Sequence, residues 1–321
     1  MADRTLQFEI YRLNIVDEEM PMFDFMGHNI RTDADIRRIL ERVTDPQFDL
    51  VAESGRATYK WSTREYTDVG PWDGAQSSDI CIITIGRSML QQRGQTVTAS
   101  SVEDALTTLS PPSAEVVHLL FYMDRHLVVA EYSSALMQTQ VWRESLHLML
   151  DRAAKSLDFR PGIRLEPVPR DEEIIGAFRS FQRLTRLRVR LRIPNPEMDR
   201  RTERLRKDME ESAIREYTQD MKNPSGLSKS ENGLPHATVV MAQQGYKDGE
   251  VVMTGIRDGR RRTVRTGKRA ARGRIEGLRD FVRGIAVGAK TPEGKLIIRS
   301  ILEEVDRVVE TPIPPDADGE R

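Results

Sequence analysis

Cysteine is almost absent: Cys81 is the single thiol among 321 residues. One cysteine closes no internal disulfide, which suits a reducing compartment, so a cytoplasmic location is expected. It lies in the apolar run Ile80-Cys81-Ile82-Ile83 and reads as a buried strand residue. The five histidines (His28, His118, His126, His147, His236) show no metal-ligand spacing, so no zinc site of the usual kind, no other metal and no cofactor is expected. No stretch approaches the roughly 18 apolar residues of a membrane-spanning helix. Met1-Ala2-Asp3-Arg4 lacks the basic-then-apolar opening of a signal peptide, and no membrane insertion is expected. Aromatics make up only 6%. Near the basic segments they are limited to Phe178, Phe181, Tyr217, Tyr246 and Phe281, too few for a single-strand stacking platform.

Charge, by contrast, is abundant at 31% against 38% hydrophobic residues, a balance that predicts a modest core under a heavily charged surface. The net charge of −1 conceals segregation. Residues 1–160 carry 16 Lys+Arg and 24 Asp+Glu; residues 161–299 carry 31 and 19; residues 300–321 carry 2 and 7. Surface potential follows where charges sit, not their total. The composition changes near Pro161-Gly162. The expected organisation is an acidic α/β domain over 1–160, a basic α/β domain over 161–310 and a disordered tail over 311–321.

Periodicity predicts an α+β fold, with mixed or antiparallel sheets and packed helices in two lobes. Leu6–Ile15 reads as a strand in which Leu6, Phe8 and Ile10 alternate, Arg12 continuing the series. Thr32 caps a helix with Ile36, Ile39, Leu40 and Val43 at helical spacing. Ala57–Val69, Asp79–Arg87 and Val116–Tyr132 read as strands, with turns at Pro71-Trp72-Asp73-Gly74 and Met123-Asp124-Arg125-His126. Trp142–Leu157 is an amphipathic helix. Beyond the boundary, Ile163–Val168 is a strand, Asp171–Phe181 a helix and Leu184–Ile193 an alternating strand stopped by Pro194-Asn195-Pro196. Glu197–Met221 reads as one long charged helix. Asn223–Pro235 reads as a loop. Ala237–Gln243 and Glu250–Ile256 read as strands joined by a turn at Lys247-Asp248-Gly249. Amphipathic segments follow at 276–289 and 295–309.

Two constellations carry the functional reading. In the strand around residue 190, side chains alternate between faces, so Leu187, Val189, Leu191 and Ile193 go inward and Arg186, Arg188, Arg190 and Arg192 go outward. Residues two apart stand roughly 6.6 Å apart, so four guanidinium groups form a line suited to a phosphate backbone. Their mutual repulsion needs an offset, either external phosphate or acids from a neighbouring strand or the 197–221 segment. The second constellation holds Arg257, Arg260, Arg261, Arg262, Arg265, Lys268, Arg269, Arg272 and Arg274 against one acid, Asp258. With Gly259, Gly267 and Gly273 interspersed, it reads as an exposed basic loop or arm, either phosphate-binding or merely solvated. Gly267-Lys268 is not a P-loop: Arg262 replaces the first glycine, and Arg269 follows the lysine. Asp171-Glu172-Glu173 suits a helix amino terminus better than a nuclease metal cluster. No catalytic residue emerges.

A run of segments carries a family likeness. Val117-His118-Leu119-Leu120-Phe121-Tyr122-Met123-Asp124-Arg125-His126-Leu127-Val128-Val129-Ala130 forms a strand–turn–strand unit, followed by a helix. Ile163-Arg164-Leu165-Glu166-Pro167-Val168-Pro169-Arg170, a helical stretch, the alternating strand Thr185–Pro194 and Asn223-Pro224-Ser225 come next. This order resembles the RexA/KwaB-like prokaryotic phage-exclusion family of DNA-binding proteins. The opening Phe8-Glu9-Ile10-Tyr11-Arg12-Leu13-Asn14-Ile15 is also similar to an uncharacterised prokaryotic family of the same layout. The resemblance implies a two-domain α/β homodimer that binds double-stranded DNA with little sequence preference in anti-phage defence, with a second defence-system protein as a candidate partner. The site residues themselves rest on charge and periodicity. The leading expectation is therefore a non-enzymatic, sequence-nonspecific duplex-DNA binder. A metal-dependent nuclease effector and a protein-interaction subunit of a defence complex stand as alternatives.

Overall fold

The computed structural model describes residues 5–15, 32–71, 79–108, 110, 112–159, 162–192, 202–212, 214, 216–276 and 291–309. It is an α+β fold built on two antiparallel sheets. The first sheet has nine strands: β1 (Leu6–Ile15), β2 (Leu50–Ser54), β3 (Ala57–Pro71), β4 (Asp79–Val97), β5 (Val102–Thr108), β6 (Ala114–Tyr122), β7 (Leu127–Glu131), β8 (Ile163–Pro167) and β13 (Arg272–Ile275). Its order is β13-β1-β7-β6-β4-β3-β2, with β5 paired to β4 and β8 paired to β1. The second sheet is β10 (Glu216–Lys222), β9 (Arg183–Arg192), β11 (Lys247–Arg257) and β12 (Arg260–Thr266), in that spatial order. The turn at 123–126 joins β6 to β7 as expected.

β1 is buried on both faces, which explains why its apolar residues do not simply alternate with polar ones. Leu6, Phe8 and Ile10 face one core and Tyr11 and Leu13 the other. Helices α1 (Asp33–Arg42) and α3 (Val141–Ser156) cover the second of these faces. Thr32 and Asp35 form a capping box on α1, so the start signal read from the sequence has its hydrogen-bonding reason. The short α2 (Ser134–Met137) leads into α3. The other face is covered by α7 (Pro292–Val308) through Ile297, Ile298, Ile301 and Val305. The third core lies under the second sheet and is closed by α4 (Glu173–Ser180), α5 (Glu203–Glu211) and α6 (Leu234–Gln243).

Several elements differ from expectation. The long helix expected over Glu197–Met221 is, in the described part, the short α5 followed by strand β10. In β10 the acids Glu216 and Asp220 face the arginines of β9, while buried Gln219 points to the core, a strand pattern hidden under high charge. Ala237–Gln243 is helix α6 and not a strand: Pro235 opens it, and an almost wholly buried helix has no polar face to reveal its period. Lys247-Asp248-Gly249 is not a turn but the start of β11, where Gly249 at φ +71° lies in a register shift between Asp248 and Val252. Arg257–Arg274 is not a loop or arm, because most of it forms β12 and β13. The sheets do not divide at residue 160: β8 and β13 pair with successive halves of the same edge of β1. The expected features at 72–74, 161, 194–196, 277–289 and 311–321 lie outside the described residues.

Candidate nucleic-acid interface

The arginine strand β9 folds as its alternation predicts: Leu187, Val189 and Leu191 are buried and the arginines before residue 192 line the opposite face. That face, however, carries its own acids. Arg186 makes a two-pronged contact with Asp220, Nε to Oδ1 and Nη2 to Oδ2, both 2.7 Å. The guanidinium holds the Asp220 carboxyl well below the usual carboxylate range. Arg190 donates to Asp248 at 2.8 Å and lies 3.4 Å from Glu216. Arg192 is buried and lies 3.2 Å from Glu216 and 3.3 Å from Asp248. The internal offset weighed for this row is therefore present for Arg186, Arg190 and Arg192, supplied by strands β10 and β11. Arg188 stands opposite Asp220 and Val252 and is exposed, with no ion pair among the described residues.

The β11–β12 hairpin turns at Asp258-Gly259 and sets Arg257 opposite Arg260, Ile256 opposite Arg261 and Gly255 opposite Arg262. Like charges facing one another across a ladder repel. Among the described residues Arg257 pairs only with Asp258, at 3.9 Å, and Arg265 only with Glu250, at 3.8 Å. Arg260, Arg261 and Arg262 are exposed and make no ion pair among the described residues, and neither does Arg183 on the adjacent end of β9. Gly255 is what brings that end close: a Cβ there would sit 2.2 Å from the Arg183 carbonyl oxygen. The hairpin tip and the start of β9 thus form one cationic edge, with Arg188 farther along the sheet.

The remaining predicted residues lie elsewhere. After β12, residues 267–271 cross from the second sheet to the first. Gly267, at φ +81°, starts the crossing, and its N–H donates to Glu173. Ala271 ends it by donating to Val168 and accepting from Ile10. Arg272 is held by Glu9 (Nη2 to Oε1 2.9 Å) and lies 3.9 Å above the Tyr132 ring. The backbone of Arg274 donates to Glu304 on α7. Beside the crossing lies a cavity of about 920 Å³ into which Lys268, Arg269 and Arg272 project, together with Arg143, Arg170, Glu9 and Glu173. Glu9, Arg143 and the pair Arg170 and Glu173 come from three separate segments that no local pattern joins, so the sequence does not show that they meet.

Between the sheets lies Lys247, expected in an exposed turn but buried, and burial pushes its pKa down to about 8. Burial likewise pushes its neighbour Glu166 up. Phe178, Phe181 and Tyr246 are core residues, Tyr217 is partly buried, and Phe281 lies outside the described residues. Among the described residues no group of three or more His, Cys, Asp or Glu side chains is placed to hold a metal ion. No described helix is long and apolar enough to cross a membrane. No curated protein matches the chain. The model of the family described as Domain of unknown function (DUF4747) matches residues 96–276, from the end of β4 to the residue after β13 and more than half of the chain, which therefore belongs to that family.

Proposed function

We propose that this protein binds double-stranded DNA through its phosphates, with little sequence preference, and acts in prokaryotic anti-phage defence. The observation that supports the binding most directly is the cationic edge of Arg183, Arg260, Arg261 and Arg262, exposed and without ion pairs among the described residues. Arginine's planar fork suits phosphate oxygens, and an edge built on paired strands presents it with little loss of freedom. Arg188 extends the surface. Arg186, Arg190 and Arg192 belong to the same face but already have carboxylate partners, so they shape it more than they contact DNA. The defence role comes from the RexA/KwaB-like order of segments. Phosphate contacts position a protein without reading bases, so no sequence preference is expected.

The test is fluorescence anisotropy with a random duplex across a range of salt. The logarithm of affinity falls with the logarithm of salt by about 0.9 per neutralised phosphate. Arg260, Arg261 and Arg262 changed together to Ala flatten that slope by roughly two to three units. A slope that stays unchanged refutes the reading. Homodimerisation is part of the proposal. The exposed Val97, Val102 and Leu106 on the long β4–β5 hairpin provide apolar surface for a second copy. Light scattering then reports about twice the 36.7 kDa chain mass, and a monomer at micromolar concentration refutes it.

A further inference from the structure

The cavity at the junction of the two sheets is not needed for contact with a duplex, and its chemistry is different from that of the hairpin edge. Its walls come from β1, the connection between α2 and α3, the 167–173 connection and the crossing segment 268–272. Five cations (Arg143, Arg170, Lys268, Arg269 and Arg272) face two carboxylates, Glu9 and Glu173. Both carboxylates are satisfied within the wall. Glu9 accepts from Arg272 and from the Tyr11 hydroxyl. Glu173 accepts from the Thr266 hydroxyl at 2.7 Å and the Gly267 N–H at 3.0 Å. Arg143 is fixed by the Leu165 carbonyl at 2.9 Å and lies 5.5 Å over the Tyr11 ring. Arg170, Lys268 and Arg269 have no ion pair among the described residues. The wall therefore holds three more positive than negative charges, and three of its cations make no ion pair among the described residues.

The opposite character is also present. Ala270 lines the same space, backed by Met137, Trp142 and Pro167, which are themselves buried, and Tyr11 and Trp142 meet edge to face at 5.3 Å. Gln138, Thr139 and Gln140 add exposed neutral hydrogen-bonding groups. A bare inorganic anion would leave these neutral groups unused. A duplex end, about 20 Å across, does not enter a cavity within the roughly 300–1,000 Å³ range of small-molecule sites. The size, the cations without an ion pair among the described residues and the neutral hydrogen-bonding side fit a small organic polyphosphate.

We propose that this cavity binds a nucleoside di- or triphosphate, its phosphates on Arg170, Lys268 and Arg269 and its base and sugar against the exposed Gln138, Thr139 and Gln140. A diphosphate carries about three negative charges near neutral pH, matching the excess of the wall. The site lies apart from the hairpin edge, so it goes beyond the DNA-binding reading and stands or falls independently of it.

Isothermal titration of the full chain with ADP, ATP and pyrophosphate tests it. ADP and ATP are expected to bind saturably, and pyrophosphate at least tenfold more weakly, because it leaves the side formed by Gln138, Thr139 and Gln140 empty. Arg170→Ala, and separately the pair Lys268→Ala and Arg269→Ala, each weaken ADP at least tenfold, about 1.4 kcal/mol. All three side chains are exposed, so the melting temperature of these variants stays near wild type, which shows that they fold. The hairpin triple variant at Arg260, Arg261 and Arg262 keeps wild-type ADP affinity, so loss of DNA binding and loss of nucleotide binding separate. No saturable heat with ADP or ATP at millimolar concentration overturns the proposal. So does ADP affinity unaffected in the folded cavity variants, and so does pyrophosphate binding as tightly as ADP.

Discussion

At the scale of single residues, buried titratable groups set how the fold responds to pH. His147 on α3 is the clearest case. Its Nε2 accepts the backbone N–H of Leu165 on β8 at 2.8 Å, so the bond requires a neutral ring. The residue keeps some contact with solvent, but its imidazole is enclosed, and that burial comes first in pushing its pKa down to about 3. The positive charges of Arg164, Arg143 and Arg192 act in the same direction. The unfolded chain takes up the proton near pH 6.5, whereas the folded chain does not until about pH 3. The folded-state pKa is depressed, so the contribution is complete above pH 6.5 and is lost as pH falls towards 3. By pH 5 the loss from this group is about 2 kcal/mol. Urea midpoints measured from pH 7 to pH 5 are expected to fall more steeply for wild type than for His147→Gln, which still accepts the Leu165 N–H and does not titrate. Parallel curves for the two proteins would show that His147 is protonated equally easily in both states.

At the scale of elements, what was legible depended on whether one face of the element met water. β9 was legible because Leu187, Val189 and Leu191 alternate with arginines on a half-exposed sheet. α1 was legible because its cap and its apolar stripe agree. α6 was not, because Val239, Val240, Met241 and Ala242 are all buried and a run apolar on every side suits strand or helix equally. β10 was not, because four of its seven residues are charged or amide and its inward Gln219 is polar. The basic run was legible as cationic but not as structured: its arginines face solvent on strands whose pairing partners, β11 and β1, lie distant or adjacent in sequence without any local mark. The cavity was invisible for the same reason. The β9–β11 pairing offers a sharp test of element geometry. The register shifts between Thr254 and Gly255, and a Cβ at Gly255 would lie 2.2 Å from the Arg183 oxygen and 2.8 Å from the Leu184 Cα. Backbone on both strands has to move, so Gly255→Ala is expected to cost about 1–3 kcal/mol, as overpacking does. On the proposed function it should also weaken duplex binding, by pulling Arg183 away from the hairpin. Chemical denaturation with wild-type stability would show that the two strands do not approach this closely.

At the scale of the molecule, the question is whether the two sheets behave as one folding unit. Arg12 joins them. It lies on β1 in the first sheet and is 1% exposed. Its Nε donates to the carbonyl of Gln244 at 2.9 Å and its Nη1 to that of Arg125 at 2.6 Å, and the guanidinium sits 4.6 Å from the centre of the Tyr246 ring. Gln244 and Tyr246 belong to the connection between α6 and β11, which leads into the second sheet. Asn14 adds a bond to the Gly245 carbonyl, and Gly245, at φ +87°, has no room for a Cβ beside Arg12. The crossing segment ties in from the other end through Ala271 and Val168. With buried polar links of this kind, opening one sheet strands carbonyls and a guanidinium in the other. A single cooperative transition in urea is therefore expected. The chain lends itself to the test because its three tryptophans, Trp61, Trp72 and Trp142, all precede the second sheet in sequence. Fluorescence thus follows the first sheet, while far-ultraviolet circular dichroism follows both. The two curves should coincide in wild type. Arg12→Met keeps the bulk but leaves the Gln244 and Arg125 carbonyls without this donor, and about 1–3 kcal/mol of stability should be lost for each. Loss confined to the first sheet, with the circular dichroism curve splitting in the variant, would still identify Arg12 as the coupling residue. Curves that already separate in wild type would mean that the sheets unfold independently and that Arg12 does not couple them.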